Sequence, residues 1–273
     1  MPHSASNQNK MTVLQTGEPS PVTLIHAQAA GDILLICEHA SNHFPKSLGS
    51  LGLNEEATRS HVAWDPGALG VSLHLSKLLD ASFIHQNYSR LVYDCNRPPS
   101  AHDAMPARSE VFDIPGNHNL SQDDRDARTN AIYRPFETAL ADFIKARREA
   151  SRPPFIITIH SFTPIYHGKK REVELGILFD QDTRLANAIL RSSTDENDLI
   201  IRANEPYSPT DGVTHTLQTH ALPFGLHNVM IEIRNDLIET EDQQRAMAEK
   251  LSRLFTAAIA QISAQDGSRT TGA

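Results

Sequence analysis

Cysteine is scarce in this chain: Cys37 and Cys95 are the only two among 273 residues. Two thiols in a chain this long do not form a disulfide framework. Both sit inside apolar runs, LLICEH and LVYDCN, and read as buried thiols rather than nucleophiles. Long hydrophobic stretches are missing too, since none reaches the roughly 18 apolar residues of a membrane span. The N-terminal MPHSASNQNKMTVLQTGEPSPVT is polar and has no apolar signal core. Positive charge is in deficit: 25 Lys and Arg against 33 Asp and Glu leave a net charge of −8. That balance argues against a nucleic-acid surface or a polybasic membrane patch. A local arginine cluster can still receive a small anionic substrate. With neither an export nor a membrane signal, a cytoplasmic location is the default expectation. No Ser-His-Asp or Cys-His nucleophile pattern appears either.

What is present is the composition of an ordinary globular protein, 39% hydrophobic and 21% charged, long enough to bury a sizeable core. Near-continuous apolar runs at 32–37, 82–86, 90–95, 155–160, 175–180, 199–204 and 228–233 read as strands covered on both faces. Between them, 68–80, 124–150, 182–193 and 241–263 carry helical spacing, with Pro135 predicted to kink the long helix and Ser121 to open it with a capping box. Strands alternating with helices predict a three-layer α/β/α domain with a mostly parallel or mixed sheet. The expected organisation is a flexible leader over 1–22, a single catalytic domain over 23–265 and a flexible tail over 266–273. The polar stretch 97–120 is too long for an ordinary connection and reads as a functional loop or lid.

Open α/β sheets bind ligands at the carboxyl ends of their strands, so polar residues following each apolar run are the first candidates. After LLIC come Glu38 and His39; after RLVYDC come Asn96 and Arg97; after FIITI come His160 and Ser161; NVMI ends on Glu232, with Arg234 beyond. Two strand-end histidines with carboxylates nearby point to a metal, and neutral imidazole plus carboxylate suits zinc. His39 and His160 are the expected ligands. The third is Asp65 or Glu38. Adjacent side chains on a strand face opposite ways, so Glu38 and His39 would need a bend to share one ion, and Asp65 is preferred. The bland alternative for Asp65 is a helix N-cap. Glu232, inside an apolar strand end, is either a general base or the buried partner of Arg234. Arg90, Asn96, Arg97, Ser161 and Arg234 are the substrate-side candidates, the arginines because a guanidinium grips a carboxylate with two parallel hydrogen bonds. His215 and His220 flank a polar turn and offer a weaker substrate contact.

Five segments in order, CEHASN (37–42), WDPGA (64–68), SRLVYDCNRP (89–98), HSFTP (160–164) and IEIRNDLI (231–238), together resemble the N-formylglutamate amidohydrolase family, over roughly residues 30–260. The resemblance implies a phosphorylase/hydrolase-like α/β/α fold and hydrolysis of an N-formyl amide to formate and glutamate, in histidine degradation. It also implies histidine ligands at His39 and His160, an acidic residue at Asp65, a catalytic carboxylate at Glu232 and substrate contact from Arg90 and Arg97. One departure is the turn Glu-His-Ala-Ser-Asn at 38–42, where the better-studied branch has a Pro-His-Ser-Gly type turn. The expected substrate is a small anionic N-acyl amino acid. The rival expectations are a zinc amidase or carboxypeptidase acting on peptide-like substrates, and a metal-free binding module on the same fold.

Overall fold

The computed structural model describes residues 12–194 and 198–270. In chain order the strands are β1 Val22–Ile25, β2 Ile33–Cys37, β3 Ser82–Gln86, β4 Arg108–Ser109, β5 Phe112–Asp113, β6 Phe155–Phe162, β7 Ile165–Tyr166, β8 Lys169–Lys170, β9 Leu175–Leu178, β10 Ile201–Ala203 and β11 Asn228–Arg234. The helices are α1 Glu55–Arg59, α2 Ala68–Leu78, α3 Gln122–Arg128, α4 Arg134–Glu149, α5 Arg184–Ser192, α6 His215–His220 and α7 Glu241–Thr270. Seven strands form one sheet in the order β1-β3-β2-β6-β11-β9-β10. Its four inner strands β3, β2, β6 and β11 are parallel to one another, β1 and β9 run antiparallel to their inner neighbours, and β10 follows β9. The sheet is therefore mixed.

Continuous apolar runs arise because both faces are covered. In β2, Ile33, Leu35 and Cys37 enter one core with residues of α2, α5 and α7, while Leu34 and Ile36 enter another with Phe136, Leu140 and Ile144 of α4. In β11, Val229, Ile231 and Ile233 join the first core and Met230 the second, which puts Glu232 on the second face. Helices on both faces complete the three layers.

The segment 90–95, read as a strand, is instead a buried turn. Leu91 through Cys95 are all buried, but the backbone bonds locally: Val92 N–H to the Ser89 carbonyl at 2.9 Å and Asp94 N–H to the Ala104 carbonyl at 2.8 Å. Ser89 and Asp94 also accept from the amides of Leu91 and Asn96, which competes with any sheet ladder. An apolar run reports burial; here the backbone found other partners. At Pro135 the helix widens to a π turn over Thr129–Tyr133, where Arg134 N–H reaches back to the Thr129 carbonyl. Such a turn relieves the steric conflict of a mid-helix proline. The Ser121 capping box forms with Asp124.

The expected leader ends earlier than residue 22. Val13 is buried and its carbonyl accepts from Ser47 Oγ, Glu18 caps the Lys46 amide, and the Pro19 carbonyl accepts from Tyr88. Residues 1–11 lie outside the described residues, as do 271–273 of the expected tail. The backbone of α7 continues to Thr270, past the expected boundary at 265. Segment 97–120 is ordered by the β4–β5 hairpin and by Asn117, whose amide donates to the Leu91 and Pro106 carbonyls.

His220 closes α6 with only 6% of its surface exposed. Burial pushes its imidazole down from 6.5 to about 4, against the pull of Glu137. The folded state thus keeps His220 neutral where the unfolded chain takes up a proton, so stability falls as pH drops from 6.5 towards 4. At about 1.36 kcal/mol per pKa unit, this group accounts for up to roughly 3 kcal/mol. His220→Gln should flatten the difference between urea melts at about pH 7 and about pH 4.5. An unchanged difference would assign the acid limb to other groups.

Candidate active site

The parallel inner strands bring the ends of β2, β6 and β11 to one edge. Chain direction turns immediately after Cys37, which takes His39 off the strand alternation and frees Glu38 and His39 to point independently. His160 lies on β6 in register with Glu232 of β11. Asp65 precedes α2, tied down by its own amide to the His39 carbonyl at 2.9 Å. It is not the N-cap of that helix: Gly67 is, at φ 80°. A Cβ on Gly67 would meet the Ile238 carbonyl oxygen at 2.4 Å, so the turn presenting Asp65 needs glycine there.

Three ligand-type atoms converge. Asp65 Oδ2 is 2.9 Å from His160 Nδ1 and 3.3 Å from His39 Nδ1, and the two Nδ1 atoms are 3.2 Å apart. His39, Asp65 and His160 are all buried, and together they form a group that could hold a metal ion. The outer ring nitrogens face carboxylates. His39 Nε2 is 2.7 Å from Asp94 Oδ1, and Asp94 Oδ2 in turn accepts from Arg90 at 2.7 Å. His160 Nε2 lies 3.0 Å from Glu38 Oε2, close enough to pair but not aligned as a hydrogen bond. Glu38, the rival third ligand, therefore stands behind His160, on the ring nitrogen opposite the convergence. Carboxylates behind ligating histidines fix ring orientation and raise basicity.

Charge is strongly partitioned. Burial alone would raise every carboxyl here, but His39 and Arg90 hold Asp94 well below the ordinary range, the two histidines lower Asp65, and His160 lowers Glu38. Burial and Arg90 work against a proton on His39, but Asp94 and Asp65 outweigh them; Glu38 and Asp65 likewise overcome burial at His160. Glu232 goes the other way: burial, reinforced by Asp65, pushes it up to about 7 despite His160. Its Oε2 is buried without a hydrogen-bond partner among the described residues. Carboxyls forced apart in this way mark acid–base sites.

The convergence floors a cleft of about 510 Å³ that is also lined by Arg90, Asn96, Arg97, Ser161, Arg171 and Tyr207. Segment 97–120 supplies a wall: Ser109 and Glu110 line the cleft, and Glu110 pairs with His61 at 2.8 Å. The substrate-side candidates fare unevenly. Arg90 is held by Asp94 and, at 3.5 Å, by Asp65 Oδ1. Arg97 is consumed by Asp103 and by the Asn96 and Gly212 carbonyls. Asn96 bonds the Val213 carbonyl and the Thr216 amide, and Ser161 Oγ donates to the Pro66 carbonyl, so both brace the site's walls. Arg234 is a correction. It does not line the cleft and does not pair with Glu232; its guanidinium is bound by Asp236 at 2.8 Å and Glu174 at 3.1 Å. It sits one strand repeat past Glu232, beyond the site. His215 bonds Tyr133 at 2.9 Å and does not reach the cleft, nor does His220.

Asp94, Arg171 and Tyr207 were not among the sequence's candidates. Asp94 carried the same signal as Glu232, an acid within an apolar run, and could have been found by it. Arg171, in the stretch HGKKREVE, carried none; it is one of several basic residues in a polar segment.

By fold this is a mixed-sheet α/β protein, and by site one with a buried His-Asp-His group beside a buried glutamate at the sheet's carboxyl edge. The family model for N-formylglutamate amidohydrolase matches residues 31–239, a span containing all five segments, and the chain belongs to that family. Among solved structures, a gene product from Agrobacterium tumefaciens is 51% identical, with TM-score 0.90 over 92% of this chain and 99% of that one. An N-formylglutamate amidohydrolase from Ralstonia eutropha JMP134 shares the fold at 17% identity, with TM-score 0.64 over 91% of this chain and 100% of that one. No curated protein matches the chain.

Proposed function

We propose that this protein is a zinc-dependent amidohydrolase that cleaves the N-formyl (or N-acyl) group from a small anionic amino acid such as N-formyl-L-glutamate. The carrying observation is the triangle of His39 Nδ1, Asp65 Oδ2 and His160 Nδ1, with sides of 2.9, 3.2 and 3.3 Å, beside Glu232, whose Oε2 has no hydrogen-bond partner among the described residues. A tetrahedral zinc with bonds of about 2.0–2.1 Å has ligand–ligand edges of about 3.3–3.4 Å, so this donor set fits in chemistry and in size. A catalytic zinc takes three protein ligands, which leaves one position open. When bound, the cation would polarise the amide carbonyl and make water acidic near neutral pH.

The chain's own groups supply the rest. Glu232 accepts the proton of the attacking water and returns it to the leaving nitrogen as the C–N bond breaks, releasing formate and the free amine. Arg90, steadied by Asp94, stands beside Asp65, where a positive charge favours the oxyanion that develops on the carbonyl. Asp94 and Glu38 fix the two imidazoles. A cytoplasmic place in histidine degradation is part of the same reading; among the described residues no helix is long and apolar enough to cross a membrane.

The test is release of formate from N-formyl-L-glutamate by protein purified without chelator, with metal content measured on the same sample. Formate release that dialysis against chelator abolishes and added zinc restores is the expected result. Turnover of peptides with none of N-formyl amino acids would replace this reading with the peptidase one.

A further inference from the structure

Four arginines, Arg90, Arg97, Arg171 and Arg234, lie at or near the cleft, and three are spoken for. Arg90 is paired with Asp94 and Asp65, Arg97 with Asp103, and Arg234 with Asp236 and Glu174 away from the cavity. Arg171 lines the cleft with no acidic partner within ion-pair distance among the described residues. Its polar contacts are neutral: Nη1 donates to Tyr207 Oη at 3.1 Å and, at 3.5 Å, to the Thr163 carbonyl. Its guanidinium carbon lies 4.5 Å from the centre of the Tyr166 ring, 4.9 Å from Tyr207 and 5.4 Å from Phe162. Aromatic contact uses the face of a guanidinium and leaves its N–H edge available. Phe162 is two residues beyond His160 on β6, one strand repeat of roughly 7 Å from the ligand group.

We infer that Arg171 is the specificity-determining anchor of this site, taking a single substrate carboxylate in a bidentate pair, with Tyr207 supplying a further hydrogen bond. Tyr207 accepts from Arg171, so its own proton is free for the same carboxylate. Because Arg171 is the one cation of the cleft without a carboxylate partner among the described residues, only one carboxylate of a dicarboxylate substrate is read by charge. Arg90 and Arg97 already hold carboxylates of the protein, so neither is left to take the other one. The inference rests on the proposed hydrolysis of N-formyl amino acids and names which of its substrate contacts discriminates.

The experiment compares N-formyl-L-glutamate with its α-carboxamide and its side-chain carboxamide, on wild type, Arg171→Met and Arg171→Lys. In wild type, one carboxamide should lose about 10²-fold in kcat/KM, the scale of a charge-assisted bidentate pair, and the other only a few-fold. Arg171→Met should raise KM for the diacid about 10²-fold, leave kcat within a few-fold and erase the discrimination. Arg171→Lys should fall between, since an ammonium keeps the charge but not the planar fork. Methionine preserves the stem packed on the rings, and melting curves check that the fold is kept. If wild type turns over but Arg171→Met keeps the discrimination, the inference falls and the proposed function stands. If wild type does not turn over, N-formyl-L-glutamate serves as an inert ligand for calorimetry. Binding that Arg171→Met loses then supports the anchor without the reaction, and absent or equal binding overturns it.

Discussion

Glu232→Gln should retain the metal and the fold while kcat falls by about 10²–10⁴, the usual worth of a positioned acid–base group. Glutamine keeps the size and hydrogen-bonding character of the side chain but cannot hold the proton. The alternative role for Glu232, a buried ion pair with Arg234, predicts a different result: removing one partner of such a pair costs about 3–5 kcal/mol. The structure separates these outcomes in advance. Arg234 is bound to Asp236 and Glu174, and Glu232 has no ion-pair partner among the described residues, its Oε2 being buried without a hydrogen bond. Replacing a buried carboxyl that burial has already pushed to about 7 removes a group costly to ionise, so the melting temperature should hold or rise. Melting, bound metal and turnover measured on one preparation decide the matter. A metal-loaded, stable Gln variant with near-normal kcat would remove Glu232 from the chemistry.

His39→Ala, Asp65→Ala and His160→Ala should each lose bound zinc and nearly all activity, yet differ in stability. Removing His39 leaves Asp94 paired with Arg90 at 2.7 Å. Removing His160 strips Glu38 of the ring nitrogen that faces its carboxylate at 3.0 Å deep in the protein, where an unpaired buried charge costs about 3–5 kcal/mol. His160→Ala should therefore be the less stable of the two histidine variants, and His39→Ala the cleaner test of ligation. Metal analysis by mass spectrometry checks the assignment: a folded His39→Ala that keeps stoichiometric zinc would take His39 out of the ligand set. Glu38→Gln is the counterpart. It should retain zinc at reduced affinity, because Glu38 lies behind His160 and not at the convergence.

Much of the fold was legible because burial on both faces of a sheet writes itself as continuous apolar sequence. The runs that became β2, β3, β6, β9 and β11 were found within two residues at each end, and the capping box at Ser121 and the helical spacing of α2 and α5 held. The run at 90–95 shows the limit of that signal. Leu91, Val92 and Tyr93 are as apolar and as buried as a strand, but hydrogen bonds to Ser89, Ala63 and Ala104 make the segment a turn. Hydrophobicity records that a residue is inside, not where its backbone donors and acceptors go.

The sequence by itself determined the family, the layered fold and the identity of the residues at strand ends, because strand ends are local features and their polar residues interrupt apolar runs. His39, His160 and Glu232 were visible for that reason. Only the tertiary structure decided what those residues do to one another. The turn after Cys37 sends Glu38 and His39 to opposite sides of His160. Gly67 brings Asp65 from another segment to within 2.9 Å of His160. Whether an arginine is free to hold a substrate depends on which carboxylates surround it, and those come from positions scattered along the chain. Arg97 and Arg234 were expected at the substrate and are occupied by Asp103, Asp236 and Glu174, whereas Arg171, unremarkable among its basic neighbours, lines the cleft with no acidic partner among the described residues. Charge pairing acts through space over a few ångströms, and sequence spacing does not encode those distances between residues far apart in the chain.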